Sequence, residues 1–109
     1  MRFTLATTNK GKIKEFEAIF KQFDLKYRVE LLKTKEIQSM DLKEIARESV
    51  IYAYSILREP VLVEDAGLFI RALNGFPGPY SSYVYKTIGV TGILKLMSNI
   101  TDRSAVFQS

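Results

Sequence analysis

Residues 61–67, Val-Leu-Val-Glu-Asp-Ala-Gly, constrain the fold of this chain more than any other stretch. A short apolar run of this kind predicts a buried strand, and here two adjacent carboxylates and a glycine end it. Open α/β sheets bind ligands beyond the carboxyl ends of their strands, so Glu64 and Asp65 are candidates for a functional site. Neighbouring strand residues point to opposite faces, so the two acids need not share one role. Asp65 is equally consistent with a cap of the following turn.

The amino-acid composition excludes several kinds of chemistry. The chain contains no His and no Cys, which excludes Ser-His and Cys-His nucleophilic catalysis, imidazole bases, zinc sites of the usual kind and disulfides. Carboxylates, lysines and hydroxyls remain. Carboxylates acting together with a substrate phosphate suit Mg²⁺. We therefore expect a metal-assisted reaction on a phosphate ester.

Length, hydropathy and charge limit the organisation of the chain. Its 109 residues, 47% of them apolar, predict a single domain over residues 1–109 with a modest core. No apolar run is long enough for a signal peptide or a membrane span, and with no cysteine we expect a cytoplasmic protein. Residues 1–35 hold nine Lys/Arg against four Asp/Glu. This excess favours a polyanionic partner, although a solvated helix face explains it equally well.

The hydrophobic pattern predicts alternating strands and helices. In order, the expected elements are a strand at 2–8, a helix from Ile13 to Phe23, a strand at 27–33, a helix from Leu42 to Leu57 that Pro60 closes, a strand at 61–64, a stiff loop at 74–80, a helix at 90–97 and a strand at 104–109. This order predicts a layered α/β fold.

The junction between the first strand and the first helix is a candidate phosphate site. Lys10, Lys12 and Lys14 crowd a helix N-terminus, where cations are normally unfavourable because the helix dipole is positive there. Free N–H groups, the flexible Gly11 and these lysines would form a phosphate cradle. The spacing is not that of a Walker A loop. A capped, solvated helix start is the alternative.

Four motifs taken together carry a family resemblance. They are Thr7-x-Asn9-x-x-Lys12, Glu36-Ile-Gln38, Val-Glu-Asp-Ala-Gly-Leu at 63–68 and Gly-Phe-Pro-Gly-Pro-Tyr-Ser-Ser at 75–82. Their combination and order resemble the inosine triphosphate pyrophosphatase family, also called the Ham1 or non-standard purine NTP pyrophosphatase family, in its archaeal form. The resemblance implies a mixed twisted sheet flanked by helices, with the C-terminal part of the family fold missing.

The resemblance also implies an activity and a set of site residues. The activity is hydrolysis of ITP, dITP or XTP to the monophosphate and pyrophosphate, with Mg²⁺ as cofactor and usually in a homodimer. Glu36 and Asp65 would bind the metal, and Asp65 would accept the proton of the attacking water with Glu64 beside it. Ala66 and Gly67 would approach the substrate through their backbone. The residues that would hold the triphosphate are Thr7, Thr8, Asn9, Lys10, Gly11 and Lys12.

Two departures from the family pattern leave alternatives open. Ser49 stands where many relatives place a substrate-contacting lysine, and the later motifs that contact the nucleobase have no counterpart. One alternative is a truncated protein that folds and self-associates without catalysis, because a strand at 104–109 would leave an unpaired edge. A nucleic-acid-binding module that uses residues 1–35 is less favoured, because those basic residues lack interleaved surface aromatics.

Overall fold

The computed structural model describes residues 2–109. In chain order its elements are β1 (Arg2–Ala6), α1 (Lys10–Gln22), β2 (Lys26–Glu30), α2 (Leu42–Leu57), β3 (Val61–Leu62), β4 (Gly67–Ile70), a 3-10 turn (Arg71–Leu73), β5 (Pro77–Gly78), α3 (Ser81–Thr87), α4 (Gly89–Leu96) and β6 (Ala105–Gln108). They form two compact units. Unit 1 runs up to Gln38 and from Lys43 to Glu64, and unit 2 comprises Ser39–Leu42 and Asp65–Ser109.

Unit 1 is built on a three-stranded parallel sheet in the order β2-β1-β3. The register aligns Arg2 with Lys26 and Ala6 with Glu30, and Thr4 with Val61 on the other side. Parallel neighbours need long crossover connections, which α1 and α2 supply. The apolar run of β1 occupies the centre of this sheet, and its Leu5 is 1% exposed.

An aromatic cluster within unit 1 joins α1 to β1 and β2. The ring of Phe20 lies edge-on to Phe3 at a centroid distance of 5.0 Å and 4.8 Å from the ring of Tyr27. Phe16 packs on the same ring at 5.6 Å. The Tyr27 hydroxyl donates a hydrogen bond of 2.8 Å to Glu17, which raises the pKa of Tyr27. Phe16 and Phe20 of the apolar face predicted for the first helix therefore pack in this cluster, whereas Ile19 and Phe23, which the same spacing placed on that face, are exposed.

A polar network in unit 1 links β1 and β2 to Glu59, which lies two residues before β3. The hydroxyl of Thr4, 1% exposed, donates to Glu59 Oε1 at 2.6 Å. Arg28 Nε donates to the same oxygen at 2.8 Å, and Arg28 Nη1 donates to Glu30 Oε2 at 2.7 Å. The Thr4 hydroxyl and then the Arg28 guanidinium lower the pKa of Glu59. Glu30 and Glu59 in turn raise the pKa of Arg28.

Unit 2 contains a three-stranded antiparallel sheet in the order β5-β4-β6. Residues 67–70 pair with 108–105, and Leu68 lies opposite Gly78. The turn between β4 and β5 passes through Asn74 and Gly75, both in the left-handed region at φ 55° and 88°. Asn and Gly are the residues that adopt this region at least cost. The peptide bond between Phe76 and Pro77 is cis.

The predicted α/β fold is confirmed, with differences in detail. Parallel and antiparallel pairings both occur, but they lie in separate sheets, one in each unit. The first helix begins at Lys10 rather than Ile13, because the side chain of Asn9 caps it. The second strand ends at Glu30, short of the predicted residue 33, and β4, β5 and α3 were not predicted. The single domain expected over residues 1–109 stays a prediction. Among residues 2–109, no helix is long and apolar enough to cross a membrane.

Candidate functional site

The loop between β1 and α1 is shaped by its own polar side chains. Thr7 Oγ1 accepts a hydrogen bond from the Asn9 N–H at 3.1 Å, and Asn9 Oδ1 accepts one from the Lys12 N–H at 3.0 Å. The Thr7 N–H donates to the main-chain oxygen of Glu30 at 3.2 Å, which fixes the loop to the end of β2. The capped helix start is therefore present, and the side chains of Thr7 and Asn9 are used to build it.

Capping leaves part of the helix N-terminus available. Lys10 and Gly11 lie in the first turn of α1, where N–H groups have no partner within the helix. Both residues, and Thr8 before them, are exposed. The first turn contains no acidic side chain that would compensate the positive end of the dipole. This stretch can therefore receive an anion from solvent, as a phosphate cradle requires.

Lys12 and Glu64 are brought together across 52 positions of sequence. Lys12 Nζ donates a hydrogen bond of 2.9 Å to the main-chain oxygen of Glu64 and lies 3.3 Å from Glu64 Oε1. Both side chains are partly buried, at 25% and 20% exposed. The Lys12 ammonium, which is unfavourable at the helix end by itself, is therefore compensated by the Glu64 carboxylate. This contact joins two parts of the predicted site that both lie in unit 1, the start of α1 and the segment after β3.

One oxygen of Glu64 has unused hydrogen-bonding capacity. Glu64 Oε1 is buried and accepts no hydrogen bond from the residues that the structure describes. The ammonium of Lys12 is within ion-pair distance but directs its hydrogen bond to the main chain. A buried carboxylate oxygen without a donor is costly. It is suited to accept a further donor, such as a water molecule, or to face a hard cation.

Asp65, Ala66 and Gly67 lie at the start of the longer segment of unit 2. Asp65 Oδ1 accepts a hydrogen bond from the Ala66 N–H at 3.1 Å, so the turn-capping role proposed as an alternative is compatible with the structure. Gly67 is buried at the start of β4. A Cβ there would press on the carbonyl oxygen of Gly78 and lie 2.7 Å from its carbon. Packing inside unit 2 therefore requires glycine at position 67.

Glu36 lies in unit 1, in the segment between β2 and α2, and its side chain is exposed. Ser49, which is 5% exposed on α2, donates a hydrogen bond of 3.1 Å to the main-chain oxygen of Lys35. Ser49 therefore anchors the segment next to Glu36. The sequence assigned no role to Ser49, although a serine within the apolar face of a helix is a signal that a buried hydroxyl has a partner.

Ser81 is a second residue that the sequence did not single out. Its hydroxyl accepts a hydrogen bond of 2.8 Å from the Leu68 N–H and donates one of 2.6 Å to the Gly78 oxygen. It therefore connects β4, β5 and the start of α3 inside unit 2. The sequence signal for this role is the position of Ser81 directly after the Gly-Pro-Tyr turn, within the motif at 75–82.

The residues predicted to bind a metal carry carboxylate oxygens, which are the donors that a hard cation prefers. Within the described part of the chain, no group of three or more acidic side chains is gathered closely enough to hold a metal ion by itself. Mg²⁺ needs only one or two protein carboxylates when substrate phosphates and waters complete its shell. The side chains predicted as metal ligands, Glu36 and Asp65, carry carboxylate oxygens, which are donors of this type, and their joint binding of a cation stays a prediction.

Comparison with known proteins places the chain in a family. The family model described as the Ham1 family matches residues 3–109. A dITP/XTP pyrophosphatase from Methanothermobacter marburgensis is 50% identical over 109 residues, which are the whole chain and 58% of that relative. The corresponding relative from Hyperthermus butylicus is 48% identical over 96% of the chain and 55% of its own length. The chain thus spans somewhat more than half the length of these curated relatives.

Solved structures agree with the sequence comparison. The chain is similar to the Staphylococcus aureus Ham1 protein with a TM-score of 0.73 and 28% identity, over 98% of this chain and 59% of that one. A nucleoside-triphosphatase from Mycobacterium abscessus gives the same TM-score at 19% identity, over 98% of this chain and 62% of that one, which shows the shared fold. From the family match over nearly all residues and the relatives near 50% identity, we conclude that this chain belongs to the Ham1 family.

Proposed function

We propose that this chain carries the triphosphate- and metal-binding part of a nucleoside triphosphate pyrophosphatase that acts on ITP, dITP or XTP. The contact between Lys12 and Glu64 carries the proposal, because it joins the anion-binding helix start to the acidic end of the third strand. Relatives named dITP/XTP pyrophosphatase support the substrate class.

The β1–α1 stretch would hold the triphosphate. Exposed first-turn N–H groups and a positive helix end favour phosphate oxygens, and Thr8, Lys10 and Gly11 are exposed to receive them. The side chains of Thr7 and Asn9 would act indirectly, because they already hold the loop and the helix cap. Lys12 would neutralise phosphate charge from its position beside Glu64.

The acidic residues would handle the water and the metal. Mg²⁺, when bound, would neutralise phosphate charge and polarise the α-phosphoryl group, and Glu36 and Asp65 would hold it. A water oxygen bonds to the α-phosphorus, the bond from that phosphorus to the bridging oxygen breaks, and pyrophosphate leaves with that oxygen. Asp65 accepts the proton of the water. Glu64, with its unused buried oxygen, orients that water or its hydrogen-bonded neighbours.

Pyrophosphate release from ITP and XTP, with and without Mg²⁺, tests the proposal on the 109-residue chain. We expect Mg²⁺-dependent turnover that Asp65→Asn abolishes and Glu64→Gln strongly reduces. Glu15→Gln is the matched control, because Glu15 is an exposed carboxylate on α1 outside the predicted site. If Asp65→Asn retains activity within about tenfold of the parent, the metal and base roles of Asp65 are wrong.

Binding measurements separate this proposal from the second candidate, a folded chain that self-associates without catalysis. The exposed edge strand β6 favours that candidate. Triphosphate binding that Lys12→Ala weakens, without pyrophosphate release, would support it. Lys21→Ala is the control for net charge, because Lys21 lies at the far end of the same helix. If Lys12→Ala and Lys21→Ala bind triphosphate equally well, Lys12 does not bind phosphate.

The proposal also covers the cellular location and the oligomeric state of the protein. We place it in the cytoplasm, where nucleoside triphosphates and Mg²⁺ are available, and we expect the complete enzyme to act as a homodimer. Fractionation of the native host cell and the native mass of the complete protein test these two expectations.

A further inference from the structure

Glu36 lies in a segment that is not part of a helix or a strand. Residues 31–41 connect β2 to α2, and within the described chain they form neither kind of element. The side chain of Glu36 is exposed. A carboxylate in such a segment has a defined position only if other contacts order the main chain beside it.

Ser49 of α2 makes such a contact. Its hydroxyl donates a hydrogen bond of 3.1 Å to the main-chain oxygen of Lys35. Ser49 is 5% exposed and lies about one turn from Ile45 on one side and from Ala53 on the other, both of which are buried. A serine hydroxyl has one hydrogen to donate. The buried face of α2 therefore gives that hydrogen to the segment that carries Glu36.

The hydrogen bond from Ser49 fixes the peptide group that leads into Glu36. The oxygen of Lys35 and the N–H of Glu36 belong to the same planar peptide unit. A bond to that oxygen limits rotation of the plane, and the Cα atom of Glu36 lies in the plane. Ser49, Lys35 and Glu36 all belong to unit 1, so the connection lies inside one compact unit.

We propose that Ser49 is a positioning residue for Glu36 and raises the affinity of that carboxylate for a divalent cation. This inference rests on the proposed function, in which Glu36 is a metal ligand. Ser49 acts through the peptide group between Lys35 and Glu36, because its own hydroxyl is buried and already bonded to Lys35. A carboxylate whose main chain is already ordered loses less conformational freedom when the cation binds.

A purely structural role for Ser49 is the competing explanation. Loss of the hydroxyl leaves the Lys35 oxygen without this donor and lowers the stability of unit 1 under both explanations. The two differ in their effect on the metal. A positioning residue changes the affinity for the cation only while the Glu36 carboxylate is present. A general loosening of unit 1 changes that affinity whether or not the carboxylate is present.

A double-mutant cycle on Mn²⁺ binding separates these explanations. Mn²⁺ replaces Mg²⁺ as a paramagnetic probe that also prefers carboxylate oxygens. Electron paramagnetic resonance measures its binding to the 109-residue chain with a non-hydrolysable ITP analogue, corrected for binding to the analogue alone. Ser49→Ala should weaken Mn²⁺ binding by about tenfold, and by less than about twofold when Glu36→Gln is also present.

Ser55→Ala is the matched control. Ser55 lies on the same helix, but its hydroxyl donates to the main-chain oxygen of Tyr52 within that helix, at 2.6 Å. This variant therefore loses a serine hydroxyl from α2 without releasing the segment that carries Glu36, and it should bind Mn²⁺ as the parent does.

Backbone NMR relaxation gives a second readout, which needs no metal. The order parameter of the Glu36 amide should fall in Ser49→Ala and keep its parent value in Ser55→Ala. An unchanged order parameter at Glu36 would show that the hydroxyl does not hold this peptide group, and it would overturn the inference.

The variants also separate failure of this inference from failure of the proposed function. If the parent does not bind Mn²⁺, or if Glu36→Gln leaves its binding unchanged, Glu36 is not a metal ligand and both are wrong. If Glu36→Gln weakens binding but Ser49→Ala does not, only the positioning role is wrong. The same holds if the loss caused by Ser49→Ala persists in full in the Glu36→Gln background.

Discussion

Substitution of Gly67 by alanine tests whether this position is glycine for packing or for substrate. Gly67 is buried in β4, and an added Cβ would press on the Gly78 oxygen and lie 2.7 Å from its carbon, where 3.4 Å is the lower limit of ordinary contact. The neighbour is backbone, so no side-chain rotation can relieve the clash. β4 and β5 would have to separate.

The expected cost follows from three contributions. Overpacking of this kind costs about 1–3 kcal/mol. Displacement of the Gly78 oxygen also disturbs its hydrogen bond from Ser81, which adds about 1 kcal/mol. The reduced freedom of the unfolded chain offsets roughly 0.4–1 kcal/mol. We expect a net destabilisation of about 2 kcal/mol, which for a chain of this size lowers the melting temperature by roughly 8 °C.

Thermal unfolding followed by circular dichroism measures this effect. Gly89→Ala is the control, because Gly89 has a φ of 66° but no atom within 4 Å of the added Cβ. That variant carries only the cost of the left-handed backbone, about 1 kcal/mol. If Gly67→Ala melts no lower than Gly89→Ala, the packing argument fails. If it instead keeps the parent melting temperature and loses triphosphate binding, the substrate requires the glycine.

Three further substitutions test single contacts. Lys12→Ala removes the cation beside a buried carboxylate oxygen, so it should lower the free energy of unfolding, measured in urea, by about 1 kcal/mol. An unchanged or higher urea midpoint would contradict a stabilising ion pair. Ser81→Ala leaves a main-chain N–H of β4 without its acceptor and should cost about 1–2 kcal/mol; an unchanged melting temperature would contradict this role. The Thr4 hydroxyl and Arg28 hold the pKa of Glu59 below its ordinary value of 4.5. The stabilisation that Glu59 contributes to the folded state is therefore complete above pH 4.5, and it is lost as the pH falls through the pKa of Glu59 in the folded state. Glu59→Gln should therefore flatten the stability curve below pH 4.5, and an unchanged curve would show that the network is not coupled to folding.

Two kinds of sequence signal predicted most of the elements. Repeated apolar spacing predicted α1 and the helix closed by Pro60, and short runs rich in apolar residues predicted the strands found as β1, β3 and β6. The two-residue strand β5 and the four-residue β4 carry no such repeat. They depend on the Ser81 hydroxyl and on close backbone approach at Gly67, which are visible only in three dimensions.

The electrostatics of the candidate site show the same limit. Considered locally, Lys12 is a cation at the positive end of a helix and should be unfavourable. In the structure it lies beside Glu64, which the chain reaches only 52 residues later. The helix-dipole rule gives the local contribution for Lys12, but it contains no information about a partner such as Glu64 that is distant in sequence. The buried Thr4 hydroxyl is a similar case, because its acceptor Glu59 is also distant in sequence.

The two adjacent acids of the Glu-Asp pair have different surroundings, and this difference bears on how their roles can be separated. Glu64 contacts Lys12 within unit 1, whereas Asp65 accepts a hydrogen bond from Ala66 within unit 2. Neutralising Glu64 removes the counter-charge of a predicted phosphate ligand, so its effect should include the affinity for triphosphate. Neutralising Asp65 leaves that ion pair intact, so its effect should fall on turnover and on the Mg²⁺ requirement. Because each substitution changes one charge and almost no volume, a difference between the two variants reports on chemistry rather than on packing.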